Sequence, residues 1–457
     1  MKHFYIATAT CVAALLLSVL AGNGCSGPRA AIGPGASAAG DDDRGASAAD
    51  AGCYISDPGR ASSDGSVAGK SRDAAVLATD AITTTGSGKE EVASEEDGRR
   101  PEVRAVWVTR WDYRSAQDVE QILETIATTG FNRVYFQVRG AADAYYRSTI
   151  EPWAASLSGK LGKDPGWDPL AVAVDKAHEL GIQLHAWLNI CTAWKGRKPP
   201  GRSTPRHILR VHPEWRVAEE RGRTMRYGPG YVFVNPAIDG FARHMRSVVA
   251  EIASFYSVDG LHFDYARYPS ARASYDKIGM RLYKKARKKE KSLTRAEWQR
   301  ERLTLLIGSL KEEARKVKPD IVVSAAVTGI YKDRWGWGEV TQGFVDFHQD
   351  SHRWARAGVV DELVPMIYWK PTRPPKGRTD FLTLAEDFEC LANHVELIAG
   401  INVAAGGFDV LKNEVEIVRS RGYSGIAIFS WALLKERGWL NKLAKTIFVT
   451  RPKIAGR

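Results

Sequence analysis

The chain has 457 residues, with 65 Lys and Arg against 53 Asp and Glu and a net charge of +12. It is 44% hydrophobic, which excludes a wholly disordered or collagenous protein, and five cysteines exclude a disulfide-dense scaffold. The charge is uneven: residues 1–100 hold 9 basic and 13 acidic groups, and the remainder carries a net +16.

Behind Lys2 and His3 runs FYIATATCVAALLLSVLAG (4–22), an apolar stretch closed by small residues. A positive start, an apolar core and small residues describe an export signal over residues 1–25. Cys25, preceded by Gly24, resembles the acceptor cysteine of bacterial lipoproteins. Ordinary cleavage and lipidation at Cys25 both fit, and either places the protein in the periplasm or cell envelope. Residues 26–100 are Ala, Gly, Ser, Asp and Thr with few large apolar side chains. Such a stretch cannot bury enough surface to offset its ordering entropy and reads as a flexible tether. Cys53 lies in it without an evident partner.

From residue 101 to about 450 the pattern alternates. Apolar, β-branched and aromatic runs predict strands at 103–109, 133–138, 182–188, 258–264, 321–327, 361–369, 397–403 and 425–431. Helical periodicity, with Gly at several ends, predicts helices at 115–129, 169–180, 239–256, 296–317, 350–357, 380–393, 408–420 and 432–447. Strands that are near-continuously apolar are buried on both faces. Eight such βα units specify a (β/α)8 TIM barrel, with a long insertion after strand three and a basic insertion after strand four. No G-x-G-x-x-G follows the first strand, so no dinucleotide site is expected.

A barrel of this kind carries its site at the C-terminal ends of its strands. Those ends read Trp107, Arg110 and Trp111; Gln137, Arg139 and Asp143; His185, Trp187 and Asn189; His262, Asp264 and Arg267; Tyr368 and Trp369; and Trp431. Aromatic faces cover the C–H face of a pyranose while amides, Arg and carboxylates bond its hydroxyls, so these positions other than Trp111, Asp143 and Asp264, with Asn235, are the candidate sugar contacts.

RAVWVTRWD, FNRVYFQVRGAADAYYRS, DPGWDPLAVAVDKAHELGIQLHAWLN, VNPAI and VDGLHFDYARYP, in this order, resemble the glycosyl-hydrolase-like ten family of exported bacterial envelope proteins. One branch of that family cleaves peptidoglycan glycan strands stripped of stem peptides, and the resemblance implies a similar activity class. The family's strand-four motif matches Asp259, Gly260, His262, Asp264, Tyr268 and Pro269. Some relatives carry a second Asp where this sequence has Tyr265. The family's Gln-Asp…Trp element matches Gln349, Asp350 and Trp354, and its Gln-x-Arg matches Gln137 and Arg139.

Glycoside cleavage needs two carboxyl groups across the scissile bond. Asp264, ending strand four, is the first candidate, as nucleophile, base or stabiliser of the oxocarbenium-like state. Asp350 and Asp143 are candidate proton donors, with Glu339 and Asp346 in the same loop as Asp350 also open. Asp350 equally stands where a helix N-cap would. His185 and His262 lack H-x-H or H-E-x-x-H spacing, so no metal and no cofactor is expected. KKARKKEK (284–291) reads as a solvated surface between strand four and the next helix, and no nucleic-acid partner is expected. Cys191 and Cys390 are expected to be unpaired. The chain reads as an exported glycoside hydrolase acting on a polysaccharide; the alternative is a non-catalytic carbohydrate-binding barrel.

Overall fold

In the computed structural model, which describes residues 101–371 and 379–449, every predicted strand forms. The expected signal, tether and Cys25 lie outside these residues. β1 (Val103–Val108), β2 (Arg133–Arg139), β3 (Gln183–Asn189), β6 (Gly260–Asp264), β7 (Val322–Thr328), β8 (Glu362–Met366), β9 (Glu396–Asn402) and β10 (Gly425–Phe429) close into a barrel in the order β1-β10-β9-β8-β7-β6-β3-β2. All eight pairings are parallel. β4 (Thr192–Gly196) and β5 (Gly228–Phe233) form a separate antiparallel hairpin within the insertion between β3 and β6.

The helices follow from local signals. Residues 116–129 start at Ser115, whose hydroxyl and the Asp118 carboxylate form a capping box, and stop at Gly130 with φ +98°. Residues 169–179 start on Asp168 with Pro169 at the first helical position. Residues 239–255, 295–317, 351–356, 381–389 and 408–419 supply the middle of the outer ring. The expected last helix is two, 431–436 and 440–446, because Gly438 sits at φ +65° between them.

The basic run corrects the sequence reading. Most of KKARKKEK lies in a helix, 277–289, capped by Asp276, rather than in a connecting surface. Cys191 is buried and free. Cys390 is disulfide-bonded, contrary to the expectation drawn from its distance along the chain.

Two apolar layers result. One lies between strands and helices; the other fills the barrel axis with Ala105, Trp107, Tyr135, Trp187, Val364, Ile398 and Ala427. The floor of the axis is polar. Arg133 and Glu362 begin β2 and β8, four strands apart around the barrel, and pair across it at 2.7 Å. Arg133 also donates to Gln183 at the start of β3, at 2.8 Å.

Candidate functional site

Above that floor the axis contains a hydrogen-bonded polar chain. The Trp107 indole N–H donates to His262 Nε2 at 3.0 Å, so His262 carries its proton on Nδ1, which meets the Ser324 hydroxyl at 2.8 Å. The imidazole stacks on Tyr135 at 3.9 Å between centroids. Burial holds His262 well below its ordinary pKa, and Arg133 pushes the same way. His185 lies fully buried beside Tyr135, also held neutral by burial, with the charge of Arg133 adding to it. A Cβ on Gly260 would stand 2.5 Å from His185 Nδ1, so glycine is required for this ring to fit. His185, His262 and Trp107 were expected as sugar contacts. The structure places them in the barrel's core instead.

Three further expected site residues also serve the scaffold. Arg139 is fully buried, pairs with Glu151 at 2.8 Å and donates to the carbonyls of Asn189 and Ile190. Glu151 takes a second partner, His244, at 2.9 Å. Burial raises the Glu151 pKa, but Arg139 and His244 outweigh it and bring it to about 2. Asn235 is fully buried and spends its amide on Asp276 at 2.8 Å and on the Ala237 N–H at 3.0 Å. Asp350, expected as a possible acid, caps helix 351–356 and accepts the Tyr331 hydroxyl at 2.8 Å. Its neighbours explain the family element: Gln349 joins Thr328 at the end of β7 (2.9 Å) to Ala266 after β6 (3.0 Å). Trp354 is fully buried and donates to Thr304 at 2.9 Å.

The strand ends of β1, β2 and β3 are tied by amides. The Arg110 backbone N–H donates to the Gln137 side-chain Oε1 at 3.2 Å, the Gln137 side-chain amide to Asn189 Oδ1 at 3.3 Å, and the Asn189 side-chain amide to the Gly140 backbone carbonyl at 3.2 Å. This network fixes the rim on which Arg110 sits. Arg110 donates to Tyr231 of β5 at 2.9 Å and stacks on Trp111 at 4.6 Å. Its Nε and Nη1 have no acceptor among the described residues. Asp143 accepts from the Ala141 N–H at 2.8 Å, half-buried near Arg110.

Asp264 ends β6 at the mouth, 8% exposed. Its carboxylate accepts the Tyr265 N–H at 2.5 Å. Burial raises its pKa, opposed by Arg267, by that N–H and by the Trp187 indole. A carboxyl raised by burial while a cation stands close can hold a proton or release it, which is what proton transfer to a glycosidic oxygen requires. Tyr265 adopts φ +47°, a conformation costly for a non-glycine residue. That turn lays its ring against Tyr231 at 5.1 Å and under the Arg267 guanidinium at 4.5 Å. Where some relatives place a second Asp, this chain therefore has an aromatic that binds the β4–β5 hairpin to the mouth. The half-buried Tyr368 lies in the field of Asp264 and Arg267, and desolvation first of all raises its pKa. The expected residues that meet here are thus Asp264, Trp187, Arg267 and Tyr368, with Trp369 next in sequence on the half-exposed β8 loop. Trp431 instead lines a separate cavity of about 160 Å3 with Asp112 and Lys435, beside helix 116–129. Burial pushes the Asp112 carboxyl up to about 6, against Thr109 and Lys435.

A closed parallel barrel with a buried carboxyl of raised pKa among Trp, Tyr and Arg at its C-terminal mouth has one of the two carboxyl groups that glycoside cleavage uses, at the end of the barrel where such sites lie. The sequence comparisons make the class specific: this chain belongs to the glycosyl hydrolase-like 10 family, whose model matches residues 102–413. It is 27% identical over 321 residues to glycosyl hydrolase DigH of Escherichia coli strain K12, covering 64% of this chain and 71% of that one. It is 27% identical over 286 residues to glycosyl hydrolase YngK of Bacillus subtilis, covering 59% and 54%. Among solved structures, the fold is similar to the catalytic domain of a β-amylase from Paenibacillus polymyxa, with TM-score 0.53, 12% identity and coverage of 76% and 99%. It is also similar to the PgaB glycoside hydrolase domain of Bordetella bronchiseptica, with TM-score 0.50, 14% identity and coverage of 75% and 98%.

Proposed function

We propose that this glycoside hydrolase is exported and cleaves the glycan strands of a polysaccharide of the cell envelope, peptidoglycan stripped of stem peptides being the first candidate. Asp264 is its proton-transferring carboxyl, and Trp187, Tyr368 and Arg267 hold the sugar at that carboxyl. One observation carries the reading: Asp264 is a carboxyl with a raised pKa at the open end of the barrel, among aromatic and cationic groups rather than in a closed ion pair. The apolar 4–22 segment supports export, with Cys25 as the site of attachment to the membrane. Asp143, half-buried on the β2 loop, is the partner carboxylate in this reading.

The test is Asp264→Asn on denuded peptidoglycan strands, with products identified by mass. The wild type should release short fragments, while the variant binds strands and releases none. Full activity in the variant would sink the assignment. Product anomers read by NMR then report the carboxylate spacing, about 5 Å for retention and about 6.5–9.5 Å for inversion.

A further inference from the structure

The loop after β7 carries a feature outside the site described so far. Trp335 and Trp337 stack with centroids 4.4 Å apart and planes 25° apart. Trp337 packs against the core, and Trp335, 36% exposed, lies on it. The loop holding them is built rather than incidental. The Asp333 carboxylate accepts the backbone N–H groups of Trp335, Trp337 and Gly338, each at 3.1 Å. Gly336 and Gly338 take left-handed φ values of +70° and +84°, which the tight double turn requires. Arg334 ties the loop to Asp387 at 3.0 Å.

All 14 tryptophans lie within the described residues, and two of them are exposed, Trp335 and Trp111. Both sit on loops leaving the C-terminal ends of barrel strands. β1 and β7 are four strands apart in either direction around the barrel, so the two loops arise on opposite sides of the mouth. Asp264 ends β6, beside β7. Trp369 on the β8 loop reaches the root of the Trp335 loop, where a Cβ on Gly329 would stand 3.0 Å from its ring. Trp111 at the other side is backed by Arg110 at 4.6 Å and Lys195 at 5.9 Å.

An exposed, pre-stacked indole has already lost its conformational freedom and presents a flat apolar face, the surface a pyranose ring covers. We infer that Trp335, on its Trp337 base, is a distal sugar subsite, with Trp111 a second one across the mouth, so that a glycan chain spans the barrel end over Asp264 and is cut internally. The inference rests on the hydrolytic reading above and adds the substrate's form, an extended chain gripped at both ends.

The experiment uses the full chain and size-fractionated denuded peptidoglycan strands of increasing length. In the wild type, KM should fall as strands lengthen. Trp335→Ala should raise KM on long strands about tenfold, the usual weight of one aromatic anchor. It should leave kcat and the shortest cleaved fragment unaffected, and Trp335→Phe should recover most of the loss. Trp111→Ala should act in the same way, because it removes the opposite end of the grip. If both alanine variants match the wild type at every strand length, the distal subsites are refuted while the hydrolytic reading stands. If the wild type releases no product at any length, both fall together.

Discussion

The axis of the barrel and its mouth are lined by the same residue types and differ in how open they are and in how their charges are paired. Along the axis, Arg133 meets Glu362, and Trp107, His262 and Ser324 form a chain in which each polar atom has its complement, while the neighbouring His185 ring nitrogens and Tyr135 hydroxyl have no hydrogen-bond partner among the described residues. At the mouth, Asp264 keeps a raised pKa beside Arg267, and the Arg110 guanidinium keeps two donors without acceptors among the described residues. Buried polar groups that satisfy one another hold the fold in one arrangement. Buried polar groups left short of partners at an open end are prepared for a ligand. The difference is one of depth: His262 and Asp264 point the same way from one strand, two residues apart.

The two regions should therefore fail in opposite assays. Asp264→Asn is expected to cut hydrolysis on the order of a thousandfold, the range of a lost acid–base group. It should leave thermal stability at neutral pH unchanged or higher, since the amide removes a carboxyl that burial already disfavours as a charge. A variant equally active, or one that unfolds, would erase the distinction at the mouth. Glu362→Ala is its converse. Removing one partner of a buried pair leaves Arg133 uncompensated, at a cost of about 3–5 kcal/mol. Denaturant titration should show that loss, while kcat of the folded fraction stays close to wild type.

His262→Phe is the intermediate case. The ring volume is retained and the Trp107 N–H loses its acceptor, a cost of about 1–3 kcal/mol. A large effect on KM with no effect on stability would make His262 a sugar contact after all, the role its place in the sequence suggests.

That misplacement shows what a sequence carries and what it does not. The eight barrel strands were legible because a strand buried on both faces must be apolar nearly throughout, and their short length and β-branched and aromatic content set them apart from buried helices. The insertion's helix at 277–289 was obscured because its basic residues dominate the composition, although Ile278, Leu282, Tyr283 and Ala286 keep a helical stripe. Depth along a strand has no periodic signal, so Arg139, His185 and His262 looked like Gln137 and Asp264. Arg139 could be assigned only with Glu151, twelve residues on, and His244, far along the chain. Asp350 was recognisable as a helix cap from its position, and the structure adds the Tyr331 hydroxyl as a second partner of its carboxylate. Trp335 and Trp337 did carry a signal, the alternation of Trp and Gly after an Asp, but it resembles an ordinary turn until the exposure of the ring is known.

The smallest expected effect tests whether pairing or position governs a buried carboxyl in this barrel. Glu151, with two partners, is held at about 2. Glu414, on the outer helix 408–419, is 2% exposed, and burial alone raises it from 4.5 to about 8. A carboxyl whose folded pKa is raised favours the folded state at low pH. That contribution is complete below about 4.5 and is lost as pH rises through about 8. Glu414→Gln removes the titration. Wild type and variant should therefore have similar urea midpoints near pH 4. Near pH 9 the variant should be the more stable by about 1 kcal/mol or more, since a tenfold change in a protonation equilibrium is worth about 1.4 kcal/mol. Parallel stability curves for the two proteins between those pH values would mean that Glu414 finds solvent in the folded chain, and burial without a partner would no longer separate it from Glu151.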